Sequence, residues 1–315
     1  MTGALGQIGS ELVLKLRDRY GSNAVIASDI RAPAVGAEIG DGPFEHLDCT
    51  QSGQVDNVVR RHQVGTIYHL AAILSAVAEE KPQVAWDINM GGLVQVLEAA
   101  RHNRCALFFP SSIAAFGPTT PLENTPQDTL QRPTSMYGVT KTSGELLCDY
   151  YAARFGVDTR GLRLPGIISH RTPPGGGTTD YAVEIFRHAV RYRRYTCFLR
   201  NDTRLDMMYM PDATDAILRL MDADPTRLKH RNAFNVTAMN FAPSALAREI
   251  CKHVPEFVIT YEIDPVRQAI ADSWPRSVDD GEARSQWDWA PRYDLSAMTL
   301  DMLDHLRARP GIEIH

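Results

Sequence analysis

Apolar residues along the first half of the chain fall into short continuous runs, separated by stretches with helical spacing. AVIAS (24–28), TIYHL (66–70), ALFFP (106–110) and TRGLR (159–163) are such runs. Their apolar positions do not alternate with polar ones, as expected of strands buried on both faces. Between them, residues 84–101 and 137–155 carry apolar side chains at intervals of three and four, which predicts helices. Strand runs alternating with helical stretches predict an α/β fold with a doubly wound parallel sheet. Beyond Arg163 the order is less regular. PPGGG (173–177) can only be loop, 180–194 reads as a helix, and 232–236 and 257–262 read as strands. The division expected is a nucleotide-type domain over 1–165, with a returning segment at about 204–236. A smaller C-terminal α/β domain over 166–315 would mainly bind substrate, with a cleft between the two.

Gly3, Gly6 and Gly9 open a helical pattern that reaches Arg19. Glycines at this spacing let the backbone approach a pyrophosphate, which then rests on the helix N-terminus, as in Rossmann-like sheets. The next strand run ends at Asp29, twenty residues after Gly9, where an acid can bind adenosine ribose hydroxyls. A carboxylate there favours NAD over NADP, although Arg31 stands close by. Asp48, after the following short strand, is placed for the adenine edge. Only Met1 and Thr2 precede the loop, where a central strand belongs. That strand is expected to be largely missing, leaving its neighbours with unpaired ladder groups.

Tyr137 and Lys141 lie four apart and share one helix face. Ser112 follows a strand run, at the sheet edge where such folds keep their chemistry. A free tyrosine has a pKa of about 10 and is almost wholly protonated at neutral pH. A lysine cation about 4 Å away is worth about 4 kcal/mol at an effective dielectric of about 20, or about three pKa units. That expectation makes Tyr137 a general base.

Composition narrows the classes further. Thirty-three basic and 38 acidic residues give a formal net charge of −5, so no basic field suggests nucleic acid or an anionic membrane. Five dispersed cysteines read as reduced thiols. The ten histidines lack metal-ligand spacing, so no metal is expected. No apolar stretch spans a bilayer and no signal peptide is visible, so the expected location is cytoplasmic.

Together, TGALGQIG, Ser112, Tyr137 and Lys141 resemble the extended short-chain dehydrogenase/reductase superfamily. PSSIAAFGP, MYGVTK, LRLPGIIS, PPGGGTTDYAVEIF, MMYMPDA and SWPRSVDDGEARSQWDW resemble its L-threonine 3-dehydrogenase branch. The resemblance covers nearly the whole chain. It implies NAD-dependent oxidation of the L-threonine β-hydroxyl to 2-amino-3-oxobutanoate. By it, Tyr137 would be the base, Lys141 its electrostatic partner and ribose anchor, and Ser112 the hydroxyl orienting the reacting oxygen. Gly3, Gly6, Gln7 and Ile8 would hold the pyrophosphate. Asp29, Ile30 and Arg31 would surround the ribose, and Asp48 and Cys49 the adenine. Ala71, Ala72 and Ile167 would line the rest of the cofactor site.

Ser75, Thr178, Thr179 and Trp274 would contact threonine. Plainer alternatives stand beside these roles: Ser75 as a helix cap, 175–179 as a turn, and Trp274 as a packed aromatic. Tyr209 reads as core. Departures from the family pattern are the short first strand, Ser112 in place of a common Thr, and Asp206 in place of Pro. Asp206 is expected to bring a charge near a substrate-facing segment. The helices around 87–101 and 137–155 would pair in a homodimer. A UDP-sugar epimerase would use the same Tyr/Lys pair but need a larger pocket and cations for its diphosphate. A catalytically silent NAD-sensing protein would have no need of the intact Ser112, Tyr137 and Lys141.

Overall fold

A single residue, Thr2, occupies the centre of the main parallel sheet. The computed structural model describes residues 1–33, 39–173 and 175–308. On one side of Thr2 lie β1 (Ala27–Asp29) and β2 (Phe44–His46). On the other lie β3 (Thr66–Tyr68), β4 (Ala106–Ser112), β5 (Thr159–Leu164) and β9 (Phe234–Asn235). Every pairing in this sheet is parallel. The expected gap is therefore closed at its C-terminal end. The Thr2 N–H donates to the Tyr68 carbonyl and the Thr2 carbonyl accepts from Leu70, while Met1 and Ala4 bond to Ser28. Strand order reverses at this point, which is where doubly wound sheets place their ligands.

The sheet is covered on both faces, as its unbroken apolar runs require. Phe108 packs with α1 (Gln7–Tyr20) and α8 (Met210–Asp222). Its neighbours Leu107 and Phe109 pack on the opposite face with α2 (Gln54–His62), α5 (Gly92–Asn103) and α6 (Met136–Phe155). This alternation is the two-residue period of a strand.

Residues 84–101 are helical throughout, but with a π-turn in their midst. After the short α3 (Ser75–Glu80), α4 (Pro82–Trp86) starts at a proline and passes through a π-turn over Asp87–Gly91 into α5. The extra residue of that turn is invisible to apolar spacing, which stays near its period on either side. The first strand run is shorter than read, because Ser22–Ala24 forms a 3₁₀ turn. The helix over 180–194 stops at Tyr192, where Arg193 takes a left-handed conformation and Arg194 starts a strand.

The C-terminal part is built on β6 (Gly166–Ile168), β8 (Leu205–Tyr209) and β10 (Met239–Phe241), with β8 in the middle. A parallel pair, β7 (Arg194–Cys197) and β11 (Val258–Tyr261), lies beside α7 (Tyr181–Tyr192) and α9 (Pro243–Cys251). The remaining helices are α10 (Pro265–Asp272), α11 (Gly281–Trp287) and α12 (Leu295–Arg307). Asp206 corrects one expectation. It is buried on β8 and accepts from Asn240 Nδ2 at 2.8 Å and the Val278 N–H at 2.7 Å, and it does not line the cavity at Tyr137 and Lys141. Its charge fastens β10 and the 278 segment to β8.

One buried ion pair joins α6 to the sheet. Glu145 accepts from Arg163 Nε at 3.0 Å and Nη2 at 2.8 Å, from Gln131 Nε2 at 2.7 Å, and from the Ser111 hydroxyl. Removing one partner of such a pair leaves an uncompensated buried charge. Glu145→Ala is therefore expected to lower the unfolding free energy by about 3–5 kcal/mol. Urea denaturation of the two proteins measures it, and a loss below about 1 kcal/mol would refute the role.

Candidate active site

The glycine loop leaves Thr2 and turns back sharply into α1. Gly3 sits at φ +69°, and a Cβ on it would lie 2.6 Å from the Ala71 nitrogen. No larger residue fits where the loop crosses the segment after β3. The first turn of α1 has no side-chain cap and no acidic residue. Its free N–H groups and positive dipole end are thus left for an anion. Gln7 Nε2 is buried beside this turn and has no hydrogen-bond partner. A pyrophosphate supplies the acceptor that this amide lacks, so the residues present fit the group. Gly3, Gly6, Gln7 and Ile8 all line one cavity, which also reaches Ser112, Tyr137 and Lys141.

The adenosine candidates stand outside that cavity lining, at the ends of β1 and β2. Asp29 is buried, and its Oδ2 accepts the Leu5 N–H at 3.0 Å, so the acid also braces the glycine loop. Its Oδ1 accepts from the Arg31 N–H and Nε at 3.1 and 3.2 Å. Ile30 is exposed next to them. Asp48 is held below the usual carboxylate range, chiefly by hydrogen bonds from Thr50. Burial pushes the Cys49 thiol up to about 11, so it offers packing and backbone rather than reactivity. Ala71 contributes the backbone against which Gly3 rests, and Ala72 and Ile167 line the cavity.

At the other end of the cavity, β4 and α6 meet. Ser112 ends β4 and caps a 3₁₀ turn, accepting the Ala114 N–H at 3.2 Å. Ser135 caps α6 by accepting the Gly138 N–H at 3.1 Å. A Cβ on Gly138 would lie 2.2 Å from the Ala114 carbonyl oxygen, so the absence of a side chain there brings Tyr137 against Ser112. Lys141 Nζ donates to the Pro110 carbonyl at 2.7 Å and lies 4.8 Å from the Phe109 ring centre and 5.4 Å from that of Tyr137.

The electrostatics correct the simple charge argument. Burial pushes Tyr137 up to about 12, with the Ser112 hydrogen bond opposing it. Burial also lowers Lys141 to about 8, against the attraction of Glu145 and Cys148. Desolvation outweighs the mutual help that spacing alone suggested, because both groups are taken from water together.

The substrate candidates converge on the same space. Ser75 and Thr178 are buried with their hydroxyl oxygens 3.4 Å apart, and Thr179 joins them in the lining. Trp274 is both a packed aromatic and a lining residue, and its buried indole N–H has no partner. Gly175–Gly177 form loop, while Pro174 lies outside the described residues. Tyr209 is core, its phenol donating to Asp301 at 2.6 Å and sharing a hydrogen bond with His170. The fold gathers His170, Asp301 and His305 around it, a cluster that histidine spacing did not announce.

Two residues went unread in the sequence. Asn89, in the π-turn, exchanges hydrogen bonds with the Ile73 backbone at 2.8 and 3.2 Å and donates to Thr140 at 3.1 Å. It ties the segment after β3 to α6. An amide amid apolar helix positions was its only signal. Asp180, just before α7, is the only carboxylate among the cavity-lining residues described, and Lys141 is the only cation.

Known proteins resemble the chain over nearly its whole length. An uncharacterized epimerase/dehydratase of Staphylococcus saprophyticus is 54% identical over 314 residues, covering 100% of this chain and 98% of that protein. The L-threonine dehydrogenase of Clostridium difficile is 55% identical, with a TM-score of 0.95, covering 98% of this chain and 96% of that one. The holo form of the L-threonine dehydrogenase of Cupriavidus necator is 50% identical, with a TM-score of 0.93, covering 97% and 98%. The model of the NAD dependent epimerase/dehydratase family matches residues 1–237. The chain thus belongs to the NAD-dependent epimerase/dehydratase family.

Proposed function

We propose that this protein oxidises the β-hydroxyl of L-threonine to 2-amino-3-oxobutanoate with NAD. The observation that carries the reading is the charge content of the cavity. Its described lining offers one cation, Lys141, which is already directed at Pro110, and no arginine. A UDP-sugar needs cations for its diphosphate, whereas a small zwitterion can be held by hydroxyls and a few neutral donors. Ser75, Thr178, Thr179 and the Trp274 N–H supply these. The likeness to L-threonine dehydrogenases at 50–55% identity supports the same choice.

When bound, NAD supplies the hydride acceptor and a positive charge. Gln7 and the first turn of α1 would hold the pyrophosphate, and Asp29 the adenosine ribose. Lys141 would hold the nicotinamide ribose while keeping a positive field beside Tyr137. Ser112 would orient the β-oxygen, and the Tyr137 oxygen would take its proton. An α5–α6 face with Val94, Leu146, Tyr150 and Phe155 exposed fits a second copy of the chain, giving a homodimer. Among the described residues no helix is long and apolar enough to cross a membrane.

Absorbance at the reduced-nicotinamide band tests the reaction directly. L-threonine should drive NAD reduction, and L-serine, lacking the γ-methyl, much less. Interconversion of a UDP-hexose with no turnover of threonine would hand the site to the epimerase reading. Tyr137→Phe should cut turnover by about 10²–10⁴-fold with NAD affinity largely kept, whereas Lys141→Ala should damage both. Near-native turnover in Tyr137→Phe would remove the base assignment. Asp29 should make NADP a poor cofactor, and Asp29→Ala should narrow the gap. Equal wild-type kcat/KM for the two cofactors would contradict it.

A further inference from the structure

The one acid among the described cavity-lining residues has no part in the chemistry described above. Asp180 stands between the 175–179 loop and α7, and it lines the cavity with Ser112, Tyr137 and Trp274. Its Oδ2 accepts the Gly176 and Gly177 N–H groups at 2.8 and 2.6 Å, which fixes the carboxylate's orientation. Both bonds fall on one oxygen. Among the described residues Oδ1 accepts no hydrogen bond from the protein.

Among the described residues no cation pairs with this acid. Glu184, one turn along α7, adds to the negative field. Arg267 on α10 opposes it, but its guanidinium pairs with Asp264 at 3.6 Å and covers the Phe198 ring. Lys141, across the cavity, is directed at Pro110. Burial accordingly raises Asp180 to about 6, the mark of a carboxylate taken from water without a counter-ion. At neutral pH it is nonetheless mostly ionised. A buried carboxylate of this kind is stabilised by any cation that enters beside it.

We infer that Asp180 binds the α-ammonium group of the substrate, and so selects β-hydroxy amino acids over β-hydroxy acids that lack the amine. The inference rests on the proposed oxidation of L-threonine and names the residue that reads its amino group. The substrate carboxylate then falls to the neutral donors, and the unpartnered Trp274 N–H is one of them. Each charged end thus meets a different element of the cavity. This fixes which way round the molecule lies against Ser112 and Tyr137.

The test compares wild type with Asp180→Asn, which keeps an oxygen for the Gly176 and Gly177 N–H groups while removing the charge. KM and kcat are measured for L-threonine and for (3R)-3-hydroxybutanoate, the same β-hydroxy acid without the amine. KM for L-threonine should rise about 10- to 100-fold, the worth of a hydrogen bond to a charged group. KM for the hydroxybutanoate should not rise. In wild type, KM for L-threonine should also climb as pH falls through about 6, a limb absent from Asp180→Asn.

Binding gives a second readout. L-threonine should raise the melting temperature of the NADH-loaded wild type and not that of NADH-loaded Asp180→Asn. An unchanged threonine KM in the variant, or equal losses on both substrates, would overturn the assignment. If wild type oxidises no L-threonine at all, the underlying reaction is wrong, a result distinguishable from both.

Discussion

The close approach of α6 to the end of β4 is the constraint on which the site depends. Tyr137, Lys141 and Glu145 recur every four residues, so one stripe of the helix carries phenol, ammonium and carboxylate in sequence. Each is held by a different depth of the sheet. Tyr137 meets Ser112 at the edge, Lys141 meets the Pro110 carbonyl one turn in, and Glu145 meets Ser111 and Arg163 beneath. Gly138 lets the helix come this near, since a side chain there would collide with the Ala114 carbonyl. The Glu145–Arg163 pair is thus more than a structural clamp. Its carboxylate is also the foremost attraction keeping the Lys141 ammonium charged against its own burial.

The strand runs, glycine loop and Tyr/Lys spacing were legible because each depends on local geometry. ALFFP is apolar without alternation since Phe108 and Phe109 face different helical layers, and that pattern needs no knowledge of the partners. The four-residue separation of Tyr137 and Lys141 is likewise a property of any helix. What failed to show was whatever depends on distant segments. The π-turn that turns Asn89 toward Ile73 adds one residue to an otherwise regular helical pattern. Ser75 and Thr178 meet across 103 residues of chain. Thr2 was read as the stump of a missing strand, because a run of two residues has no pattern to read. Its pairing with Ser28 and His69 exists only once both neighbours are in place.

Charge was the least legible property, and the reason is physical. Spacing gives the distance between two groups but not how much water each loses on folding. Tyr137 and Lys141 are displaced in opposite directions, the phenol to about 12 and the ammonium to about 8. Each has moved toward its neutral form. Asp206 shows the same blindness in another place: a charge expected near a substrate-facing segment is buried and satisfied by Asn240 and the Val278 N–H.

A phenol and an ammonium both pushed toward neutrality make a weak base on their own. Each pKa unit is worth about 1.4 kcal/mol, and a positive charge about 4 Å away is worth about 4 kcal/mol at an effective dielectric of about 20. One additional cation in the cavity would therefore more than offset the rise in Tyr137 caused by burial. In the proposed reaction, proton removal is thereby tied to the presence of the oxidised cofactor: the side chains alone hold the phenol protonated. Burial of the pair has a function in that arrangement, since the same dry surroundings that suppress the base also magnify the effect of the charge that releases it.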